Sequence, residues 1–169
     1  EGEDAKGVLS GIEFLRKINA GESLKLSGKT IVIGGGNVAV DVARTAVRSG
    51  AETVAMYCLE SREIMPASAE EIEEAEGEGI SIHTCFGPKR ILTKNGKVTG
   101  VEFKKCLSVF DADGRFSPKY DEADTVIVEA DNVLVTIGQS ILWGDLLAGT
   151  GAQFNRNGTL QADGFTYQS

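Results

Sequence analysis

Residues 29–50 read KTIVIGGGNVAVDVARTAVRSG, a β-branched run that stops in three glycines and then resumes at a helical period. Lys29-Thr30-Ile31-Val32-Ile33 has the composition of a short buried strand. Beyond the glycines, Val38, Val42, Thr45 and Ala46 share one helical face, and Gly50 closes that helix. Residues 53–58 (TVAMYC) read as the next strand, completing a strand–turn–helix–strand unit of about thirty residues. Within it, Gly34, Gly36 and Ala39 match the spacing G-x-G-x-x-G/A. Each position has its own physical demand. Gly34 permits the tight turn, Gly36 carries no side chain to block a pyrophosphate, and Ala39 lets the helix pack closely on the strand. Phosphates lying over Gly34-Gly35-Gly36 face the free amides and the positive end of the helix starting near Asn37, whose side chain can add a polar contact. After the second strand comes Glu60, placed where a carboxylate accepts both hydroxyls of an adenosine ribose. A carboxylate there repels a 2′-phosphate, so NAD(H) is expected over NADP(H), although the nearby Arg62 pulls the other way.

Working outward, residues 10–19 (SGIEFLRKIN) place Ile12, Leu15 and Ile18 at helical spacing, with Gly21 as the stop. On the other side, Met65-Pro66-Ala67-Ser68 is a stop followed by an N-cap signal, leading into AEEIEEAEGEG. Its acids, from Glu70 to Glu78, read as a solvated helix face favoured in the first turn by the helix dipole. Residues 80–86 alternate as a strand, Gly87-Pro88 breaks it, and residues 89–93 extend the sheet. Asn95-Gly96 predicts a hairpin with residues 98–107 as the returning strand. Residues 111–118 read as a loop, and 125–129 and 132–137 as two more strands around a tight turn. The run VLVTI ending in Gly138 predicts a further parallel strand, because buried strands end in this way at a ligand crevice. The result is an α/β chain that begins as a parallel βαβ unit and then adds an antiparallel meander. From Trp143 onward the sequence is rich in turn signals and reaches Ser169 without a terminating element, so the ends read as cuts in something longer.

Composition narrows the function classes. The length of 169 residues suits one domain with a sizeable core, and 41% apolar with 25% charged residues is ordinary for a globular protein. A formal net charge of −8 argues against nucleic-acid binding, so any phosphate must be held locally by backbone amides. No apolar run nears the ~20 residues of a membrane span and no secretory leader is visible, which points to a cytoplasmic protein. Cys58, Cys85 and Cys106 show neither CxxC nor metal-ligand spacing and read as reduced thiols. His83 is the only histidine, which leaves a His-based triad or multi-His metal site without its groups. A packing role is expected for His83 and Trp143, and no catalytic side chain is assigned. Asp41 and Arg44, one turn apart, are expected either to pair with each other or to brace a neighbouring domain.

IVIGGGNVAVDVARTAVRSGA, VAMYCLESREIMPASAEEIEEAEGEGI, FGPKRIL, VTGVEF and ADNVLVTIGQ occur in that order along the chain. Together they resemble the pyridine-nucleotide domain of glutamate synthase small subunit-like flavoproteins, within the FAD-dependent pyridine nucleotide-disulfide oxidoreductases. The resemblance implies a Rossmann-like FAD/NAD(P)-binding domain, with helices on one face of a central parallel sheet and a β-meander on the other. It implies that residues 1–22 (including GVLSGIEFLRKINAGE) enter from an FAD domain, that 23–140 form the NAD(P)-binding domain, and that 141–169 (ending DGFTYQS) return toward the FAD domain. It further implies that the chain presents NAD(P)H for hydride exchange with FAD, electrons passing on to iron–sulfur clusters or a partner subunit. By resemblance, Gly34, Gly35, Gly36, Asn37, Val38 and Ala39 form the pyrophosphate loop. Glu60, Ser61 and Arg62 lie at the adenosine ribose, and Gly138 and Gln139 beside the nicotinamide ribose. Two departures matter. Many relatives carry Tyr-Arg-Arg against an NADP 2′-phosphate, where this chain has Tyr57-Cys58-Leu59-Glu60, which favours NAD. The family's FAD-binding glycine motifs and cluster-ligating cysteines are missing, so these residues alone should hold neither FAD nor a cluster and should be inactive in isolation.

Two other readings stay open. One is a stand-alone nucleotide-binding or regulatory module without turnover. The other is an S-adenosylmethionine-dependent methyltransferase, which also uses a Gly-rich first turn and an acid after the second strand but is disfavoured by the G-x-G-x-x-A spacing and the meander.

Overall fold

The computed structural model describes residues 1–138, 141–155, 158–166 and 168. In chain order the elements are β1 (Val8–Ser10), α1 (Gly11–Asn19), β2 (Lys29–Ile33), α2 (Asn37–Arg48), β3 (Thr53–Tyr57) and α3 (Ala69–Gly77). They are followed by β4 (Ser81–His83), β5 (Phe86–Lys94), β6 (Lys97–Phe110), β7 (Phe116–Glu129) and β8 (Asn132–Val135). By compactness the chain divides into Glu1–Ile137 and Gly138–Ser169.

In the first unit, β1-β8-β2-β3-β4 is a parallel sheet and β5-β6-β7 an antiparallel one. The period of two along each parallel strand sends alternate side chains to opposite layers. Val32, Val54, Met56 and Leu134 pack with Phe14 of α1, Val40, Val42, Ala43 and Ala46 of α2, and Ile72 and Ala75 of α3. Their sheet neighbours Ile31, Ile33, Tyr57 and Val133 pack instead with Ile91, Val101 and Phe103 of the antiparallel sheet. Helices therefore cover one face and the meander the other, as the resemblance implies. Parallel strands buried on both sides explain why residues 29–33 read as a continuous apolar run rather than an alternation.

The structure corrects several sequence assignments. The segment 80–86 is not one strand. β4 stops at His83, and Cys85, with φ of 62°, turns the chain out of the parallel sheet before β5 begins. Gly87-Pro88 lies inside β5 rather than ending a strand, and residues 89–93 belong to the antiparallel sheet. Pro88 is tolerated because β5 is an edge strand with a register shift between Pro88 and Arg90. The expected loop at 111–118 is shorter, since β7 already starts at Phe116. Residues 125–129 end β7 while β8 pairs in the parallel sheet, so those two strands belong to different layers. Asn95 and Gly96, with φ of 53° and 74°, make the expected hairpin turn between β5 and β6.

Residues 1–22 pack into the first unit. β1 forms the sheet edge beside β8, and Phe14 of α1 is fully buried. In Gly138–Ser169 the described residues are mostly turns, with one bridge between Phe154 and Leu160. Trp143 lies 6.0 Å from the Phe154 ring, and its indole N–H donates to the Gly158 carbonyl at 2.8 Å.

Candidate nucleotide-binding site

The strand β2 delivers the chain into a turn that the sheet itself holds. The Gly34 amide donates to the Tyr57 carbonyl at 2.9 Å. Gly34 has φ of 147°, and a Cβ there would run into the Thr136 hydroxyl and crowd Ala39. That hydroxyl donates to the Ile33 carbonyl at 2.6 Å, so the end of β8 fixes the corner from the other side. Thr136 escaped the sequence reading because its part depends on β8 lying beside β2.

Gly36 is the N-cap of α2, in extended backbone at φ −93° and ψ 174°, and a Cβ placed on it meets nothing within 4 Å. Its carbonyl accepts from the Ala39 and Val40 amides at 2.9 and 3.2 Å. The amides of Gly36, Asn37 and Val38 donate to no acceptor among the described residues, and no side chain caps the helix. An open surface, three unpaired N–H groups and the positive end of a 12-residue helix are what a pyrophosphate needs. The residues present thus fit the phosphates of a dinucleotide.

Gly35 is buried against the next strand. A Cβ there would lie 2.8 Å from that of Cys58 and 3.0 Å from a Glu60 carboxylate oxygen. The fold therefore brings Glu60 to the glycine turn, within one residue's width of the pyrophosphate loop. The Gly35 carbonyl accepts from the Ala67 amide at 3.0 Å, and the Asn37 side-chain oxygen accepts from the Ser68 amide at 2.9 Å. Asn37 thus ties the turn to the segment entering α3, and its amide nitrogen remains for a ligand contact. Met65 packs into the helix-side core.

Arg62 and Ser61 are committed locally. Arg62 makes two hydrogen bonds, of 2.7 and 2.8 Å, to the two carboxylate oxygens of Glu76 on α3. That contact raises the Arg62 pKa and holds Glu76 below the usual carboxylate range. The Ser61 hydroxyl donates to Glu63, which is lowered by that bond. Gly138 belongs to the second unit and Gln139 lies outside the described residues. Their place in the site rests on resemblance.

Beneath the turn, Tyr57 is stacked between His83, 4.5 Å away, and Phe103, 4.2 Å away, which gives His83 its packing role. Arg44 does not pair with Asp41. It reaches across to Glu74 at 2.6 Å, Glu78 at 2.7 Å and Glu71 at 3.4 Å. The acidic face of α3 is consequently a clamp on α2 and not only a solvated surface. The spacing of Glu71, Glu74 and Glu78, which puts all three on one side of a helix, was the available signal.

A family model described as pyridine nucleotide-disulphide oxidoreductase matches residues 1–168. The chain belongs to that family. It is 40% identical over 144 residues to the NADPH-Fe(3+) oxidoreductase subunit beta of Geobacter sulfurreducens, covering 82% of this chain and 21% of that protein. It is 38% identical over 118 residues to the glutamate synthase [NADPH] small chain of Azospirillum brasilense, covering 69% of this chain and 24% of that one. This chain thus spans between a fifth and a quarter of the length of these two relatives. Among solved structures it is similar in fold to Mycobacterium tuberculosis FprA in complex with NADPH, with TM-score 0.69 and 16% identity over 91% of this chain and 48% of that one. The expected family and the Rossmann-like fold are borne out. The pyridine nucleotide is the family's cofactor, and the relatives' names do not favour NAD over NADP. No helix among the described residues is long and apolar enough to cross a membrane.

Proposed function

We propose that this chain binds NAD(P)H over residues 34–39 and presents it to an FAD held by another part of the same protein. The observation that carries the reading is the conjunction at the start of α2 of unpaired amides, an open Gly36 and the Glu60 carboxylate against Gly35. The bound cofactors supply the chemistry, a hydride passing between nicotinamide and flavin. The chain's own residues bind and orient. Gly36, Asn37 and Val38 amides take the pyrophosphate, Glu60 accepts from the adenosine-ribose hydroxyls with Ser61 and Arg62 beside it, and Gly138-Gln139 flank the nicotinamide ribose. In this hydride transfer no side chain of the chain acts as acid, base or nucleophile, and turnover requires the FAD portion. Electrons then leave through an iron–sulfur domain or partner subunit, and the protein works in the cytoplasm.

Within this reading NAD(H) is preferred. Glu60 repels a 2′-phosphate, and the Arg62 guanidinium that would attract one is engaged by Glu76. Relatives named for NADPH weigh on the other side, and Arg62 is the residue through which that alternative would act. Calorimetric titration of the purified protein with NADH, NADPH and S-adenosylmethionine tests both levels. Tighter NADH than NADPH binding is expected. The reverse order overturns the preference alone, and binding of S-adenosylmethionine alone overturns the whole assignment.

A further inference from the structure

Cys58, Cys85 and Cys106 are separated in the sequence by more than twenty residues at each step, yet the fold gathers them beside Glu60. Cys58 follows β3, Cys85 sits in the turn that leaves the parallel sheet, and Cys106 lies in β6. The β5–β6 ladder ends with Phe86 paired to Lys105, and Cys85 and Cys106 are the next residues beyond that pair. The Cys106 amide donates to the Cys85 carbonyl at 2.9 Å. That bond holds the two backbones side by side where the ladder ends, Cys85 lying just before β5 with φ of 62°.

The three thiols differ in setting. Cys58 is buried in the helix-side core and its thiol donates to the Glu60 carbonyl at 3.6 Å. Cys106 is also buried, with its thiol directed to the Ser108 carbonyl at 3.4 Å. Cys85 is half-buried, and its thiol has no hydrogen-bond partner among the described residues. Burial, followed by the charges of Glu60 and Cys85, pushes the Cys58 thiol up to about 12, and burial followed by Cys85 also raises Cys106. Half-buried Cys85 therefore has two neighbours held as thiols, of which Cys106 is joined to it by a direct backbone hydrogen bond.

We propose that Cys85 and Cys106 are an oxidisable dithiol site that a peroxide converts into a cross-strand disulfide. In the first step the Cys85 sulfur, deprotonated, attacks the peroxide. The O–O bond breaks, sulfur is oxidised to a sulfenic acid, and the peroxide is reduced to an alcohol, or to water from hydrogen peroxide. In the second step the Cys106 sulfur attacks the Cys85 sulfur. The S–S bond forms, the S–O bond breaks, and the hydroxyl leaves as water with the Cys106 proton. Two thiols and one peroxide thus give one disulfide, one alcohol and one water. The Cys85 amide also donates to the Glu60 carbonyl at 2.9 Å, so the cross-link is anchored on the backbone that carries the ribose carboxylate.

The test is independent of nucleotide binding. The purified protein is treated with hydrogen peroxide, quenched in denaturant and alkylated before and after reduction, and the peptides containing the three cysteines are followed by mass spectrometry. Cys85 and Cys106 should lose alkylation together as a linked peptide pair and regain it with dithiothreitol, while Cys58 stays a thiol. Cys85→Ser, a near-isosteric change at a half-exposed position, should protect Cys106 from oxidation. Cys106→Ser should leave a sulfenic acid on Cys85 that dimedone traps. Persistence of both free thiols, linkage through Cys58, or oxidation of Cys106 in the Cys85→Ser protein would each overturn the assignment.

Discussion

Gly34 and Gly36 stand two residues apart and need to be glycine for opposite reasons. At Gly34 the protein itself forbids a side chain, through a φ of 147° and the Thr136 hydroxyl in the path of a Cβ. Gly34→Ala should therefore destabilise the fold, by about 1–3 kcal/mol for a residue forced into a sparsely allowed backbone region, read as a lower urea midpoint. At Gly36 a Cβ has open space and ordinary backbone angles, so Gly36→Val should unfold like the parent protein. The same substitution puts bulk where the pyrophosphate approaches the helix amides, and measurable NADH binding should disappear. Unchanged affinity in a folded Gly36→Val protein would remove the turn from the site. Arg62 gives a third residue-scale prediction. Glu76→Gln weakens the paired hydrogen bonds that hold the guanidinium on α3, and NADPH binding should tighten several-fold while NADH binding stays level. Equal affinities before and after the change would show that Arg62 takes no part in choosing the cofactor.

Among the elements, α2 and α3 are joined by two cations set against three carboxylates. Arg44 holds Glu71, Glu74 and Glu78, and Arg48 adds a 2.7 Å contact to Glu78. The Arg44 hydrogen bond, followed by the charges of Arg44 and Arg48, lowers the Glu78 carboxyl below its ordinary 4.5. A carboxyl depressed in the folded state adds stability above its unfolded pKa and loses it as pH falls through the folded value. Arg44→Met should therefore lower the urea midpoint at pH 7, and its gap from the parent should narrow as pH drops below 4.5. A gap independent of pH would mean that Arg44 acts through packing alone. The elements also show what local pattern can and cannot reveal. β2, α2, β3 and α3 were legible to within about two residues, because their signal lies in periodicity and caps. β1 was not, because its three residues become a strand only by pairing with β8, far along the chain. The part of β7 before residue 125 escaped for another reason. Its side chains are exposed at most positions, so no alternation marks a buried face. The same division runs through the site. Residues 34–39 and Glu60 were readable from spacing, whereas Thr136, the Arg44 clamp and the meeting of Cys85 with Cys106 require knowing which strands and helices lie together.

At the scale of the whole molecule, both apolar clusters are built from residues that precede Ile137. Tyr57 and Phe103 stack at 4.2 Å where the parallel and antiparallel sheets meet, and Phe103 is fully buried. Phe103→Ala should cost about 3–5 kcal/mol, the usual penalty for emptying a buried aromatic site. The described residues of Gly138–Ser169 appear in neither cluster and are held by turns and one bridge. A chain ending at Ile137 should then unfold with the same cooperativity and nearly the same midpoint as the 169-residue chain. Its affinity for NADH is the more telling measurement. The pyrophosphate turn and Glu60 remain in that shorter chain, so the adenosine half should still bind and the free fragment ADP-ribose should keep its affinity. Gly138 and Gln139 are gone, so NADH should bind several-fold more weakly while ADP-ribose does not. If the two ligands weaken together, the loss lies in the turn or the fold. If neither changes, Gly138 and Gln139 have no part in holding the nicotinamide end.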